Sequence, residues 1–199
     1  MSILIRKARE TDLPQAAAIY DRILDRQERG LTYVGWLRGV YPTLATAQAA
    51  FQADEFFVLE DGGIVMASAR INREQVDAYV QMDWAYPAPP DRVMVMHTLT
   101  VDPDRGGQGY GRAFVAFYED YARKNGCICL RIDTNEKNEN ARRLYAKLGY
   151  REAGIVPCVF NGIPGVNLVC LDVPRYGTVG TYLCERIIHN GTSNQFKIK

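Results

Sequence analysis

The chain has 199 residues, which suits one domain with a substantial core, and its 47% hydrophobic and 24% charged residues are an ordinary globular composition. The net charge of +1 excludes a generally basic surface for nucleic acid or membrane, and no stretch approaches the ~20 continuous apolar residues of a spanning helix. Five cysteines without paired spacing, and no signal-like N-terminus, predict free thiols and a cytoplasmic location.

The N-terminal part of the chain is predicted to form a strand followed by two helices. Residues 3–7 are apolar enough for a first strand. Thr11 is the predicted N-cap of a helix, because its side chain can accept a hydrogen bond from a free backbone amide, and Gly30 is predicted to end that segment. A second helix is predicted over residues 43–52.

A β-hairpin and a long polar connection follow. Residues 56–60 and 64–71 read as its two strands, and the Asp-Gly-Gly sequence at 61–63 is a strong turn signal. Residues 72–91 are polar and rich in proline. A connection of this length is more often functional than scaffold, so we expect it to border a binding site.

Four aromatic residues in connections are candidates for an acceptor-binding pocket. Trp36 and Tyr41 lie between the two predicted helices, and Trp84 and Tyr86 lie in the long connection. Each ring, taken singly, fits simple packing equally well.

The centre of the chain is organised around a glycine-rich turn between a strand and a helix. Residues 93–101 are an apolar run typical of a buried strand. Gly107, Gly109 and Gly111 follow at alternate positions, and an amphipathic helix comes next, which Gly126 ends. Without Cβ atoms, the backbone N–H groups of such a turn can converge on an anion at the positive end of the helix dipole. A tight turn without a ligand is the alternative.

A second strand and helix come directly after it. Residues 127–133 read as the strand, and a helical stripe that Gly149 ends comes next. Two further strands are predicted over 151–160 and 165–173. The second helix carries a spaced signature made of Asn138, Ala141, Leu144, Tyr145, Leu148, Gly149 and Tyr150.

Both pieces resemble the GNAT superfamily of acyl-CoA-dependent N-acetyltransferases. The glycine turn resembles the family's acyl-CoA pyrophosphate loop, Arg/Gln-x-x-Gly-x-Gly/Ala, and the second helix resembles its Asn-x-x-Ala-x-x-Leu-Tyr-x-x-Leu-Gly-aromatic signature. One position departs, because Gly106 stands where the family has Arg or Gln, with Arg105 one residue earlier. The resemblance covers about residues 3–173, so we expect a domain over 1–173 and a C-terminal extension of unknown role over 174–199.

The resemblance implies an α+β fold with a mostly antiparallel mixed sheet of six to seven strands, a splayed parallel pair and about four helices. It implies transfer of an acetyl group from acetyl-CoA to a primary amine of a small molecule or peptide, by direct attack in a ternary complex. A non-catalytic acyl-CoA-binding or sensor module is the alternative. A P-loop phosphotransferase and a Rossmann dehydrogenase fit less well, because the loop lacks both of their glycine patterns.

The same resemblance implies roles for individual residues. His97 falls where many members place a general-base glutamate, and histidine has an ordinary pKa near ~6.5 that suits the role. Tyr145 matches the general acid that protonates the leaving thiolate. A histidine satisfied within the sheet and a tyrosine within the core are the alternatives, and a bound water or the loop around Asp83 and Tyr86 is another source of the base. The expected cofactor-binding residues are Leu99, Thr100, Val101, Gly106, Gly107, Gln108, Gly109, Tyr110, Gly111, Arg112 and Asn138.

The expected partners are therefore acetyl-CoA and an amine acceptor, without metal, nucleic acid or membrane. The sequence leaves open the identity of the amine and the oligomeric state, with a homodimer among the alternatives.

Overall fold

An eight-stranded sheet organises the protein in the computed structural model, which describes residues 3–173 and 196–198. The strands in chain order are β1 (Ile3–Lys7), β2 (Phe56–Asp61), β3 (Ile64–Asn72), β4 (Val93–Val101), β5 (Cys129–Asn135), β6 (Arg151–Phe160), β7 (Ile163–Val173) and β8 (Phe196–Ile198). They lie side by side in the order β6-β7-β5-β4-β3-β2-β1-β8. Neighbours are antiparallel except for β4 and β5, which run parallel.

Within the described part of the chain, four α-helices cover the two faces of this sheet. They are α1 (Leu13–Glu28), α2 (Leu44–Gln52), α3 (Tyr110–Lys124) and α4 (Glu139–Lys147). One buried cluster joins α3 and α4 to one face, and a second joins α1 and α2 to the other face at β2 and β3. The remainder of that second face, over β4 to β7, is covered by the connection between β3 and β4. The predicted α+β fold, mostly antiparallel with one parallel pair and four helices, is confirmed.

The strand count needs one addition. The seven strands β1 to β7 lie within residues 3–173, as expected, while β8 comes from the extension and pairs with β1 at the sheet edge, Ile3 opposite Ile198. Residues 174–195 lie outside the described part of the chain, so a separate role for the extension stays a prediction.

The first helix begins later than the sequence suggested. Thr11 is not its N-cap, because a short 3-10 turn over Glu10–Asp12 precedes α1. The side chain of Asp12 is already engaged, with its oxygens 2.6 and 3.1 Å from the Arg6 guanidinium and one oxygen 2.6 Å from the Arg9 amide. Asp12 is 4% exposed and Arg6 is 7% exposed, so this buried ion pair fixes the turn in place.

None of the helices in the described residues combines the length and the apolar composition needed to cross a membrane.

Candidate active site

The parallel strands β4 and β5 separate part of the way along their length. They pair through four positions, from Val93 opposite Cys129 to Met96 opposite Ile132. Beyond that point β4 stays with β3 and β5 stays with β7, so a gap opens between them. The predicted splayed pair is therefore present, and it begins after Met96.

A β-bulge lies on β4 just past this point. The register with β3 shifts between His97 opposite Arg70 and Thr100 opposite Ser68, and Thr98 has a left-handed φ of 53°. The Thr98 hydroxyl is hydrogen-bonded to the hydroxyl of Tyr41, which helps to hold this strained backbone.

The bulge changes which side chains share a face. Simple alternation along the strand over residues 93–101 predicts that His97, Leu99 and Val101 share one face, and this prediction is wrong. His97 contacts Asn72, on the face covered by α1 and α2, whereas Leu99 and Val101 pack against the core beneath α3 and α4. An inserted residue reverses the alternation, and only the paired structure of β3 and β4 reveals it.

A large cleft, called here the cofactor cleft, opens at the start of α3. It has a volume of about 740 Å³ and is lined by the glycine turn, α4 and the end of β4. Gly109 is the N-cap of α3 with a φ of 82°, and Gly107 has a φ of 80°, conformations that other residues adopt at a cost. The first turn of α3 lies on the wall of the cleft, with the positive end of the helix dipole toward it.

Gly111 serves packing. A Cβ atom at this position would lie 3.2 Å from Cδ2 of Leu144 and 3.6 Å from Cγ2 of Val101. The absence of a side chain thus lets the start of α3 pack closely against α4 and β4 at the wall of the cleft.

Charge in the cofactor cleft favours an anion. The charged side chains on its wall are cationic apart from Asp102, and they are Arg26, Arg105, Arg112, Arg143 and Lys147. All of the predicted cofactor-binding residues line this cleft except Thr100, whose side chain is 1% exposed and hydrogen-bonded to Ser68 at 2.8 Å.

Helix α1 fastens the glycine turn to the rest of the fold. The Arg22 guanidinium donates two hydrogen bonds to the Asp102 carboxylate, at 3.1 and 3.0 Å. Asp102 also accepts from the Asp104 amide at 3.0 Å and so caps the turn that leads into the glycines. Arg26 reaches the Asp104 carboxylate at 2.9 Å. These ion pairs hold the start of the glycine turn against α1.

A small cavity, called here the transfer cavity, occupies the gap between β4 and β5. Its volume is about 60 Å³. It shares Trp36, Leu99, Asn138 and Tyr145 with the cofactor cleft. It shares Tyr41, His97, Thr98 and Phe160 with a third cavity of about 330 Å³, called here the side cavity. The transfer cavity therefore lies between the two larger ones.

Tyr145 on α4 stands at the boundary of the cofactor cleft and the transfer cavity. It is 4% exposed, and its ring packs 5.8 Å from that of Tyr150. Burial, and then the negative charge of Asp133, raise the pKa of the Tyr145 hydroxyl well above its usual value. The hydroxyl is thus protonated at neutral pH and is a proton donor rather than a base.

Asp133, near the end of β5, also lines the transfer cavity and was missed by the sequence interpretation. Its Oδ2 accepts a hydrogen bond from the Tyr79 hydroxyl at 2.8 Å. Burial raises the pKa of this carboxyl to about 6, although the hydrogen bond from Tyr79 works in the opposite direction. The available signal was an acidic residue closing an apolar strand just before the helix signature.

His97 has a different environment from the one expected. Its Nε2 lies 2.9 Å from Oδ1 of Asn72, an oxygen that can only accept, so Nε2 carries the proton. Burial, and then the positive charge of Arg70, lower the pKa of His97 to about 4. The imidazole is therefore neutral at pH 7, but it is a much weaker base than an unperturbed histidine.

The four aromatic candidates divide into two pairs. Trp36 and Tyr41 line the transfer cavity, with ring centroids 6.3 Å apart in an edge-on contact. Trp84 packs against the Arg131 guanidinium at 4.0 Å, and the Tyr86 amide lies 3.3 Å from the carboxylate of Asp172.

Trp84 and Tyr86 belong to the cluster that covers β5 and β7, and neither lines the cofactor cleft, the transfer cavity or the side cavity. Within residues 3–173 and 196–198, no group of three or more His, Cys, Asp and Glu residues is arranged to hold a metal ion.

Comparison with known proteins agrees with this geometry. The profile of the acetyltransferase (GNAT) family matches residues 18–150. The chain is 36% identical over 83 residues to the uncharacterized N-acetyltransferase YhfO of Bacillus subtilis (strain 168), covering 42% of this chain and about half, 49%, of that relative.

Solved structures show the same fold. A GNAT-family acetyltransferase from Streptococcus agalactiae 2603 superposes with a TM-score of 0.72 at 19% identity, covering 88% of this chain and 96% of that one. The acetyltransferase yncA of Salmonella typhimurium, solved with its cofactor acetyl-CoA, superposes with a TM-score of 0.62 at 18% identity, covering 92% and 100%.

Proposed function

This chain belongs to the acetyltransferase (GNAT) family, and from that premise we propose that it moves the acetyl group of acetyl-CoA directly to a primary amine within a ternary complex. The observation that carries the proposal is the position of the transfer cavity between the cofactor cleft and the side cavity. Two substrates that enter from opposite sides meet there, and no covalent enzyme intermediate is required.

The cofactor cleft accounts for binding of acetyl-CoA. Its pyrophosphate is an anion suited to the amides at the start of α3 and to the cationic wall of the cleft. The related structure of yncA holds acetyl-CoA, which supports the same ligand here. From the pyrophosphate, the pantetheine arm would run along β4 and bring the thioester carbonyl to the Leu99 amide, a donor for the developing oxyanion.

The side cavity suits the body of the acceptor. Its wall combines aromatic rings with polar groups, and it includes Tyr20, Tyr41, Phe56, Phe160, Arg70 and Glu74. The positive charge of Arg70 is already paired, with Glu55 at 2.7 Å and Glu74 at 2.8 Å. A small amine with an apolar body therefore fits this cavity better than a strongly charged polymer.

Proton transfer is assigned to two of the titratable groups on the wall of the transfer cavity, Asp133 and Tyr145. Asp133 takes a proton from the ammonium, the freed nitrogen attacks the carbonyl carbon, and the carbon–sulfur bond breaks. Tyr145 then gives its proton to the leaving sulfur, and the resulting tyrosinate takes the second proton of the acetylated nitrogen. The N-acetylated product and CoA are then neutral at the reacting atoms, and Asp133 returns its proton to solvent. With a pKa of about 6, Asp133 is ionised at pH 7 and is a stronger base than His97, whose pKa is about 4.

Steady-state turnover of acetyl-CoA over a panel of small amines, amino acids and N-terminal peptides tests the proposal. We expect release of CoA with at least one primary amine and intersecting lines in a two-substrate initial-rate analysis. Parallel lines would contradict a ternary complex. Acetyl-CoA binding without turnover on any amine would instead favour the sensor module.

A further inference from the structure

The long connection between β3 and β4 supplies a side chain that hydrogen-bonds to Asp133, a residue on the wall of the transfer cavity. Tyr79 lies in a 3-10 turn over Asp77–Gln81 and is 3% exposed. Its hydroxyl donates to Oδ2 of Asp133 at 2.8 Å. Burial and the charge of Asp133 raise the pKa of Tyr79 well above its usual value, so this hydroxyl remains a donor at every pH at which a typical enzyme works.

Tyr79 is itself held by Trp84 of the same connection, and Trp84 is in turn fixed to β5. The ring of Trp84 packs edge-on at 5.1 Å, and Nε1 of Trp84 donates to the Tyr79 carbonyl at 3.1 Å. Trp84 in turn packs 4.0 Å from the guanidinium of Arg131, which precedes Asp133 by two residues on the same face of β5. The connection is therefore fixed to β5 at Arg131 as well as at Asp133, and the hydroxyl has little freedom to turn away.

We propose that Tyr79 is the positioning residue of the base: it fixes one oxygen of Asp133, aims the other into the transfer cavity and keeps the carboxylate charged. The role of Tyr79 in the reaction rests on the proposed function. It assigns a role in the reaction to the long connection, which contributes none of the cofactor-binding side chains.

The geometry leaves one oxygen of Asp133 for the substrate. Among the described residues the carboxylate accepts from Tyr79 through Oδ2, and no donor contacts Oδ1. A carboxylate fixed at one oxygen has its side-chain torsions set, so the other oxygen is presented to an incoming amine in one orientation. A donor to the charged form also lowers the pKa of the acid, in opposition to its burial.

Among the described residues, no other side chain donates to the Asp133 carboxylate. The titratable and charged groups that face it from its own strand and from the neighbouring elements are Tyr41, His97, Arg131, Tyr145, Cys158 and Cys170. Burial raises the pKa of Tyr41 and of Cys170 to about 12 and lowers that of His97 to about 4. These three are therefore uncharged between pH 5 and 8, the usual working range. The guanidinium of Arg131 is directed to Gln75 and Trp84.

The pH dependence of kcat in Tyr79→Phe tests this role. Loss of the donor makes the carboxylate harder to form, so the acidic limb should move upward from about pH 6 by about one unit. At pH 6 the rate should fall several-fold, and the part of this loss that comes from protonation of Asp133 should disappear above pH 8. The KM for acetyl-CoA should stay within about twofold, because Tyr79 does not line the cofactor cleft.

Tyr118→Phe is the matched control, since it removes another buried hydroxyl that donates only to the backbone carbonyls of Met94 and Arg131. The Tyr118→Phe variant should be less stable, and the acidic limb of its pH profile of kcat should stay in place. An unmoved acidic limb in a folded Tyr79→Phe protein would overturn the positioning role.

Direct titration of the Asp133 carboxyl by carbon NMR separates this inference from the proposed function, because it needs no turnover. The Asp133 titration should move upward in Tyr79→Phe and stay in place in Tyr118→Phe. If no amine is acetylated but the Asp133 titration still moves in Tyr79→Phe, the proposed function fails, while the effect of Tyr79 on the Asp133 carboxyl is confirmed. If the Asp133 titration is unchanged in Tyr79→Phe, Tyr79 does not control the Asp133 carboxyl, whatever the activity of the enzyme.

Discussion

The cofactor cleft and the transfer cavity are neighbours that are built in opposite ways. Much of the cofactor cleft comes from one continuous piece of chain, residues 99–112, and the rest comes from α4, from α1 and from the connection after α1. The transfer cavity takes its wall from strands β4, β5 and β7, from α4 and from the connection after α1. Backbone amides dominate the first site, and buried side chains with shifted pKa values dominate the second. Binding of a diphosphate can therefore be encoded locally, whereas proton transfer depends on the assembled fold.

Replacement of Asp133 by Asn should have the largest effect, and it should best separate proton transfer in the transfer cavity from acetyl-CoA binding in the cofactor cleft. Without a base, kcat should fall by roughly 10²–10⁴, while acetyl-CoA affinity stays within about twofold. The melting temperature at pH 7 should not fall, because the removed charge was the form that burial disfavours. Enzyme kinetics with calorimetric binding measures both quantities.

His97→Ala is the companion variant for Asp133→Asn. We expect it to keep an acidic limb near pH 6, because Asp133 is still present. If His97 were the base, the wild-type limb would lie near pH 4 and this variant would remove it.

Tyr145→Phe should be the next largest change. It retains the ring that packs on Tyr150 and removes only the hydroxyl, so the melting temperature should hold while kcat falls by roughly a hundredfold. Acceptors that are attacked faster cannot compensate, since the defect lies in protonating the sulfur. Full activity in the folded variant would make Tyr145 a packing residue only.

Gly109→Val tests the cofactor cleft alone. In the wild type, acetyl-CoA at ~100 times its dissociation constant should stabilise the fold by roughly 2.7 kcal/mol, a rise in melting temperature of about 5–10 °C. The variant should lose that rise. Nothing lies within 4 Å of an added Cβ in the free protein, so the defect comes from the left-handed φ of 82° at the N-cap of α3 and from the blocked approach of the diphosphate.

Gly39→Val is the control for that experiment. Gly39 has a similar φ of 77° with open space around it, and it lies outside the cofactor cleft. It should carry the same backbone strain and keep the shift with acetyl-CoA. Retention of the full shift in Gly109→Val would remove the glycine turn from the binding site.

Arg22→Gln should produce the smallest effect, on acetyl-CoA affinity. It removes the paired hydrogen bonds to Asp102 that place the glycine turn, and a partly exposed ion pair is worth about 1 kcal/mol or less. Isothermal titration should show binding weakened by up to about fivefold, with kcat at saturation unchanged. Arg38→Gln removes a comparable surface network with Asp21, Asp25 and Glu28 and should leave binding as it is.

The same contrast explains what the sequence could predict. The bounds of the strand, glycine turn and helix from 93 to 124 rest on local rules of periodicity and capping, and they are as expected apart from the bulge at Thr98. Gly109 is the N-cap, and the helix ends at Lys124. The signature of α4 placed Asn138 and Tyr145 beside the cleft in the same way.

The rest required tertiary contacts. Asp133 acquires its character from burial and from Tyr79, which is 54 residues away in the chain. The bulge at Thr98 depends on the register with β3 and moved His97 to the opposite face from Leu99. The long connection lines the side cavity with Glu74, Gln75 and Val76, and it contacts Asp133 through Tyr79. The ring of Trp84 packs on Arg131 of β5, and the backbone amide of Tyr86 donates to Asp172 of β7. No local pattern separates a ring that packs from a ring that binds.

A crystal structure with acetyl-CoA bound tests the central claim most directly, because it shows where the thioester lies. We expect the diphosphate at the first turn of α3 and the acetyl carbonyl oxygen about 2.7–3.1 Å from the Leu99 amide, with the sulfur within reach of the Tyr145 hydroxyl. The methyl group should enter the transfer cavity on the side of Asp133. A thioester that lies outside the gap between β4 and β5, or with its sulfur turned away from Tyr145, would contradict the account.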